Sequence, residues 1–130
     1  MKQELLLICG SRTLTESYYP AVSHRLDLVL TELRQSNPEG FQLTVMTGDG
    51  KGADQLANAW AQNNLCTLWR VPALWAEHGR SAGFKRNARM AERDVTRAIG
   101  FFHRTRTPGT LDMLQRMKEK GVKTTFVMFE

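Results

Sequence analysis

The run Leu5-Leu6-Leu7-Ile8-Cys9 is apolar at five consecutive positions and is closed by Gly10-Ser11. A strand with one face in water alternates polar and apolar residues. An unbroken run therefore predicts a strand buried on both faces, as in a parallel sheet covered by helices. The rest of the chain follows the same plan. Val22, Leu26, Val29, Leu30 and Leu33 recur at helical spacing after Pro20, until Asn37-Pro38-Glu39-Gly40 stops them. Phe41 to Thr47 reads as a second strand, about Asp54 to Asn63 as a helix, and Leu65 to Val71 as a third strand. Phe84, Ala88 and Ala91 mark the inner face of a helix ending near Arg93, and Val95 to Phe102 is the fourth strand. Thr110 is placed as the N-cap of a helix carrying Leu111, Leu114 and Met117, Gly121 ends it, and Lys123 to Phe129 is the last strand. Five mainly parallel strands and four helices, doubly wound into one α/β domain over residues 1–130, are the expected architecture.

This length can bury a core without disulfide or metal staples. Cys9 and Cys66 are 57 positions apart and the three His residues lack ligand spacing, so neither a disulfide framework nor a metal site is expected. No apolar run approaches the ~18 residues of a membrane span, which sets a cytoplasmic location with no membrane partner as the expectation.

The net charge of +5 is concentrated. From Arg80 to Arg106 there are eight cations (Arg80, Lys85, Arg86, Arg89, Arg93, Arg97, Arg104, Arg106) against Glu92 and Asp94, a local +6. Such a segment fits an anionic partner or a solvated helix face.

Ligands of doubly wound sheets bind beyond the carboxyl ends of the strands, where the strand order reverses. The loops after strands one, two and four are therefore the informative ones. Gly48-Asp49-Gly50-Lys51-Gly52-Ala53-Asp54 places three glycines before a helix N-terminus, where free amides and the helix dipole favour an anion. The three glycines are expected to serve close approach to a ligand or positive φ. Gly48-x-Gly50-x-x-Ala53 satisfies the loose dinucleotide fingerprint, but the acidic residue expected after the next strand is absent from Leu68-Trp69-Arg70-Val71, and no Walker A pattern is present. A tight turn alone is the other reading. Asp54 is explained by helix capping, while Asp49 could accept from ribose hydroxyls or point to solvent. Gly10-Ser11-Arg12 offers a guanidinium and a hydroxyl for phosphate, or an exposed loop cation. Arg86, Arg89 and Arg93 share a helix face. Pro108-Gly109-Thr110 is a second phosphate cradle or an ordinary N-cap turn. Trp60 and Trp69 read as core, and Trp75 as either a base-stacking loop residue or core.

Together, Gly10-Ser11-Arg12, the 47–54 loop, the Trp75 loop, Ser81-Ala82-Gly83-Phe84-Lys85-Arg86-Asn87-Ala88-Arg89-Met90 and Gly109-Thr110-Leu111-Asp112-Met113 resemble the YspA-like branch of the SLOG superfamily over nearly the whole chain. The resemblance implies a Rossmann-like domain that binds a nucleotide or a nucleotide-derived signal such as an ADP-ribose derivative. In this reading the ligand is held by Gly10, Ser11, Arg12, Gly48, Asp49, Gly50, Lys51, Gly52, Asp54, Trp75, Lys85, Arg86, Asn87, Pro108, Gly109 and Thr110, with no cofactor and with a homo-oligomer as the family habit. Similar LOG-type enzymes cleave the base from nucleoside monophosphates using a Pro-Gly-Gly-x-Gly-Thr-x-x-Glu motif. Here the run Thr107 to Met113 is shorter and has Met113 at the glutamate position. Asp112 comes one residue early, about 100° around the helix. Asp49 and Asp112 remain the candidate catalytic acids of a hydrolase reading, and the similarity to DprA-type proteins gives single-stranded nucleic acid as a third class of partner.

Overall fold

The computed structural model describes residues 1–130. One sheet of five strands forms its centre: β1 (Lys2–Gly10), β2 (Phe41–Thr47), β3 (Thr67–Arg70), β4 (Arg97–His103) and β5 (Lys123–Phe129). Their order is β3-β2-β1-β4-β5 and every pairing is parallel. The helices are α1 (Tyr19–Ser36), α2 (Ala53–Asn63), the single turn α3 (Trp75–His78), α4 (Ala82–Ala91) and α5 (Pro108–Glu119). The sheet is thus wholly rather than mainly parallel, with four helices of two turns or more.

Because side chains alternate across a strand, β1 supplies both layers of core. Leu6 and Ile8 join Val22, Leu26 and Val29 of α1 and Leu56 and Trp60 of α2. Leu7 and Cys9 join Met90 of α4 and Met113, Leu114 and Met117 of α5. Trp60 is fully buried, with its indole N–H donated to Asp27 at 2.9 Å. The strand order reverses between β1 and β4, so the loops leaving these two strands diverge and open a crevice at their carboxyl ends.

Several boundaries differ from expectation. The third strand starts at Thr67, because Leu65 takes φ +57° and stands 94% exposed. The fourth starts at Arg97, after a turn in which Val95 N–H bonds the Arg93 carbonyl. The face of α4 is rotated from its predicted phase: Ala82, Asn87 and Met90 are buried, whereas Phe84 is exposed. Asn87 has polar partners, Arg86, Gly109 and Asp112, that make its burial possible. Helix α5 is capped at Thr107 and begins at Pro108, so Thr110 lies inside its first turn instead of at the cap.

The basic segment does not form a single surface. Arg97 is buried in β4, where its guanidinium reaches Glu32 at 3.4 Å, Thr125 at 2.8 Å and the Ala98 carbonyl at 2.7 Å. Arg93 lies over the Trp69 ring at 4.8 Å. No helix is long and apolar enough to cross a membrane.

Candidate functional site

A cavity of about 670 Å³ occupies the crevice, a size within the ~300–1,000 Å³ range of small-molecule sites. Its floor comes from the loops after β1 and β2, one wall from α3 and α4, and the other from the start of α5. Of the residues singled out in the sequence, Gly10, Ser11, Arg12, Gly48, Asp49, Gly50, Lys51, Asp54, Trp75, Arg86, Asn87, Pro108, Gly109 and Thr110 line it. Gly52 and Lys85 do not. Gly52 packs against the Ser11 and Arg12 backbone, and Lys85 is exposed with Nζ 3.5 Å from His78 Nδ1.

The three loop glycines do three different things. Gly52 has φ +75°, and a Cβ there would run into the Ser11 carbonyl oxygen and the Arg12 backbone. A Cβ on Gly48 would occupy the space of the Arg86 guanidinium, whose Nη1 donates to the Gly48 carbonyl at 2.7 Å. Gly50 has neither constraint; its nearest neighbour is Asp54 Oδ2, 3.2 Å from a built Cβ. What Gly50 contributes is its amide, which donates to Asp54 Oδ2 at 2.9 Å. Of the three, only Gly52 has positive φ, and Gly48 and Gly52 are each approached closely by the protein's own atoms.

Asp54 is not a cap either. It sits in the first turn of α2, 7% exposed, and its carboxylate turns back to Gly50. Oδ1 is buried without a hydrogen-bond partner, and the side chain enters no ion pair. Burial pushes its pKa up to about 6, against the Gly50 amide and the positive charges of Arg86 and Arg12, which favour the carboxylate, while Asp49 adds to the rise. Burial likewise lowers the Arg86 pKa from its ordinary value, opposed chiefly by Asp54. Beneath them the Cys9 thiol is pushed up by burial and then by Asp54, which leaves it an inert core group.

Asp49 lines the cavity with its side chain partly exposed and tied to neighbouring side chains. Its Oδ1 accepts from Asn58 at 2.9 Å and Gln55 at 3.2 Å and lies 3.6 Å from Arg70 Nε, holding a residue at φ +55°. Asp112 is outside the cavity lining, with Oδ2 accepting from Asn87 at 3.1 Å and Arg116 at 3.0 Å. Met113, at the position of the enzymatic glutamate, is 1% exposed in the core. Asn87 is a brace: Nδ2 also donates to the Gly109 carbonyl at 3.0 Å and Oδ1 accepts from Arg86 Nε at 3.0 Å, fixing α4 against the start of α5.

Three features favour an anion bearing an aromatic group. The first-turn amides of α2 (Asp54, Gln55) and α5 (Gly109, Thr110) lack helical partners and belong to cavity residues. Arg12, Lys51 and Arg80 stand at the rim, exposed. Trp75, 49% exposed, and Phe84, 44% exposed, face the same opening, with the Arg12 guanidinium 5.7 Å from the Trp75 ring. Sequence reading missed Thr13, Gln55, Pro72, Ala73, Arg80, Gly83, Phe84 and Thr107 among the lining residues. Thr13 and Gln55 directly continue motifs that were recognised, while Phe84 carries the signature of a core residue and gave no separate signal.

The sequence from 5 to 78 matches the family model described as YAcAr, the YspA, cpYpsA-related SLOG family. No curated protein matches the chain. The matched stretch runs from β1 to α3, more than half of the 130 residues, and carries the β1 loop, the glycine loop and the Trp75 turn; the chain belongs to the YspA, cpYpsA-related SLOG family.

Proposed function

We propose that the cavity binds a nucleotide or nucleotide-derived ligand, such as an ADP-ribose derivative, and acts by sensing or sequestering it. The observation that carries this reading is the convergence of two helix N-termini with a half-exposed tryptophan in one cavity at the strand-order reversal. Phosphate groups take the first-turn amides and the rim cations, where backbone donors and fixed charge cost little reorganisation. The base lies against Trp75 and Phe84, stacking being tolerant of base identity. Calorimetric titration with AMP, ADP, NAD and ADP-ribose, together with mass spectrometry of small molecules released from protein purified out of cells, tests the reading. Saturable binding of at least one nucleotide supports it, and none among these and no co-purified nucleotide refutes it.

A second reading rests on Asp54. A buried cavity carboxyl with an unpartnered oxygen and a pKa near 6 is what a general acid at a glycosidic bond requires. In this reading Asp54, in place of Asp49 or Asp112, gives its proton to the leaving base as the N-glycosidic bond breaks, and the water that bonds the sugar carbon loses a proton to solvent. Chromatographic detection of free base from AMP or NAD, lost in Asp54→Asn, would favour it over binding alone.

A further inference from the structure

Behind the cavity a line of hydrogen bonds joins two loops. Ser11 Oγ is 2.9 Å from Thr13 Oγ1, which is 2.7 Å from His103 Nδ1; His103 Nε2 is 3.2 Å from the Tyr18 hydroxyl, which donates to the Glu130 main-chain oxygen at 2.7 Å. With the imidazole neutral, the direction of every bond follows from the last. A main-chain oxygen can only accept, so the Tyr18 proton is committed to Glu130 and the Tyr18 oxygen must receive one from His103 Nε2. A neutral imidazole with its proton on Nε2 has a bare Nδ1, so Thr13 donates its hydroxyl proton to it, and Ser11 in turn donates to Thr13. The edge-on packing of the Tyr18 and His103 rings, with centroids 5.1 Å apart, holds the imidazole in this orientation. Ser11 is buried, but Thr13 is exposed and lines the cavity. With its proton spent on His103 and one lone pair on Ser11, Thr13 has only a lone pair left for a ligand.

We infer that Thr13, held by His103, is a specificity-determining residue that accepts a hydrogen bond from a hydroxyl of the ligand, so that the sugar of a ribonucleotide lies against Thr13 while its phosphate stays with Arg12 and the helix amides. The inference rests on the nucleotide reading above and deepens it. It also reassigns Ser11, whose hydroxyl would otherwise serve a phosphate oxygen.

The test has a ligand-free and a ligand-bound arm. Nitrogen-15 NMR of the His103 ring at alkaline pH should give the Nε2–H tautomer in the intact chain, with the Nδ1 resonance moved in Thr13→Val; an Nδ1–H tautomer would overturn the inference. Calorimetry then compares ADP with its 2′-deoxy and 3′-deoxy analogues. The intact chain should bind at least one deoxy analogue about five- to tenfold more weakly, the value of one neutral hydrogen bond, and Thr13→Val should bind all three alike. Discrimination that persists in Thr13→Val, or binding of all three alike by the intact chain, overturns the inference alone. Binding of AMP, NAD or ADP-ribose but of none of these three overturns the sugar assignment alone; if no nucleotide of either set binds and none co-purifies, the nucleotide reading falls and the sugar assignment with it.

Discussion

Arg86 and Gly48 are locked together: the guanidinium donates to the Gly48 carbonyl and fills the space that any side chain at position 48 would need. Gly48→Ala should therefore expel the guanidinium while the backbone stays, since the obstacle is the far end of a flexible side chain. The expected cost is about 0.5–1.5 kcal/mol for the lost hydrogen bond, read by urea denaturation. Arg86→Ala combined with Gly48→Ala should cost little more than Arg86→Ala alone, because the two changes remove the same contact. Full additivity would contradict the contact.

The two remaining loop glycines should separate sharply. Gly52→Ala forces a side chain into a positive-φ conformation against the Ser11 and Arg12 backbone, and conformational strain alone is about 1–3 kcal/mol. Gly50→Ala meets only Asp54 Oδ2 at 3.2 Å and keeps its amide. It should stay within about 1 kcal/mol of the parent. Thermal melts of the two proteins check the order, and equal destabilisation would refute it.

Asp54 should make stability fall as pH rises through the window from about 4 to 6. Its folded pKa lies above the ordinary carboxyl value of 3.8, so in that window the folded state holds a proton that the unfolded state has released, and each unit of rise removes stability until the group is ionised in both states. The full difference is on the order of 3 kcal/mol. Asp54→Asn keeps an acceptor for the Gly50 amide and should flatten this slope, so the mutant gains relative stability at neutral pH. Parallel stability profiles for the two proteins between acid and neutral pH would contradict it.

Trp75→Ala should leave the fold intact, because the ring is half exposed and outside both core clusters. Adenine-nucleotide affinity should fall by about 1–3 kcal/mol if the base stacks there. Circular dichroism with calorimetry separates the two effects, and unchanged affinity would move the base elsewhere in the cavity.

The sheet was legible because β1 and β4 are buried on both faces, and a strand of that kind leaves an unbroken apolar run. Most of the cavity lining was legible as well, since the strand-end loops are short and contiguous. Contacts between distant segments were not. Gly48, Gly50 and Gly52 look equivalent in one dimension and differ only because Arg86 and Ser11 are brought to two of them. Asp54 has the local position of a dipole-favoured helix residue, and neither its burial nor the nearby charge of Arg86 on α4 shows in the local sequence. Arg97 counts as a surface cation by type, but its charge is balanced by Glu32 on α1.

The Ala53 amide donates to the Ser11 carbonyl at 3.0 Å, and Gly52 lies against the Arg12 backbone. Residues 11–12 and 52–53 are therefore one inheritable unit although some forty positions separate them. A chimera of two family members joined between β1 and β2 would pair a first loop with a second loop shaped for another partner. Crossovers placed after α2 keep the unit whole and leave only the walls of the cavity to be exchanged.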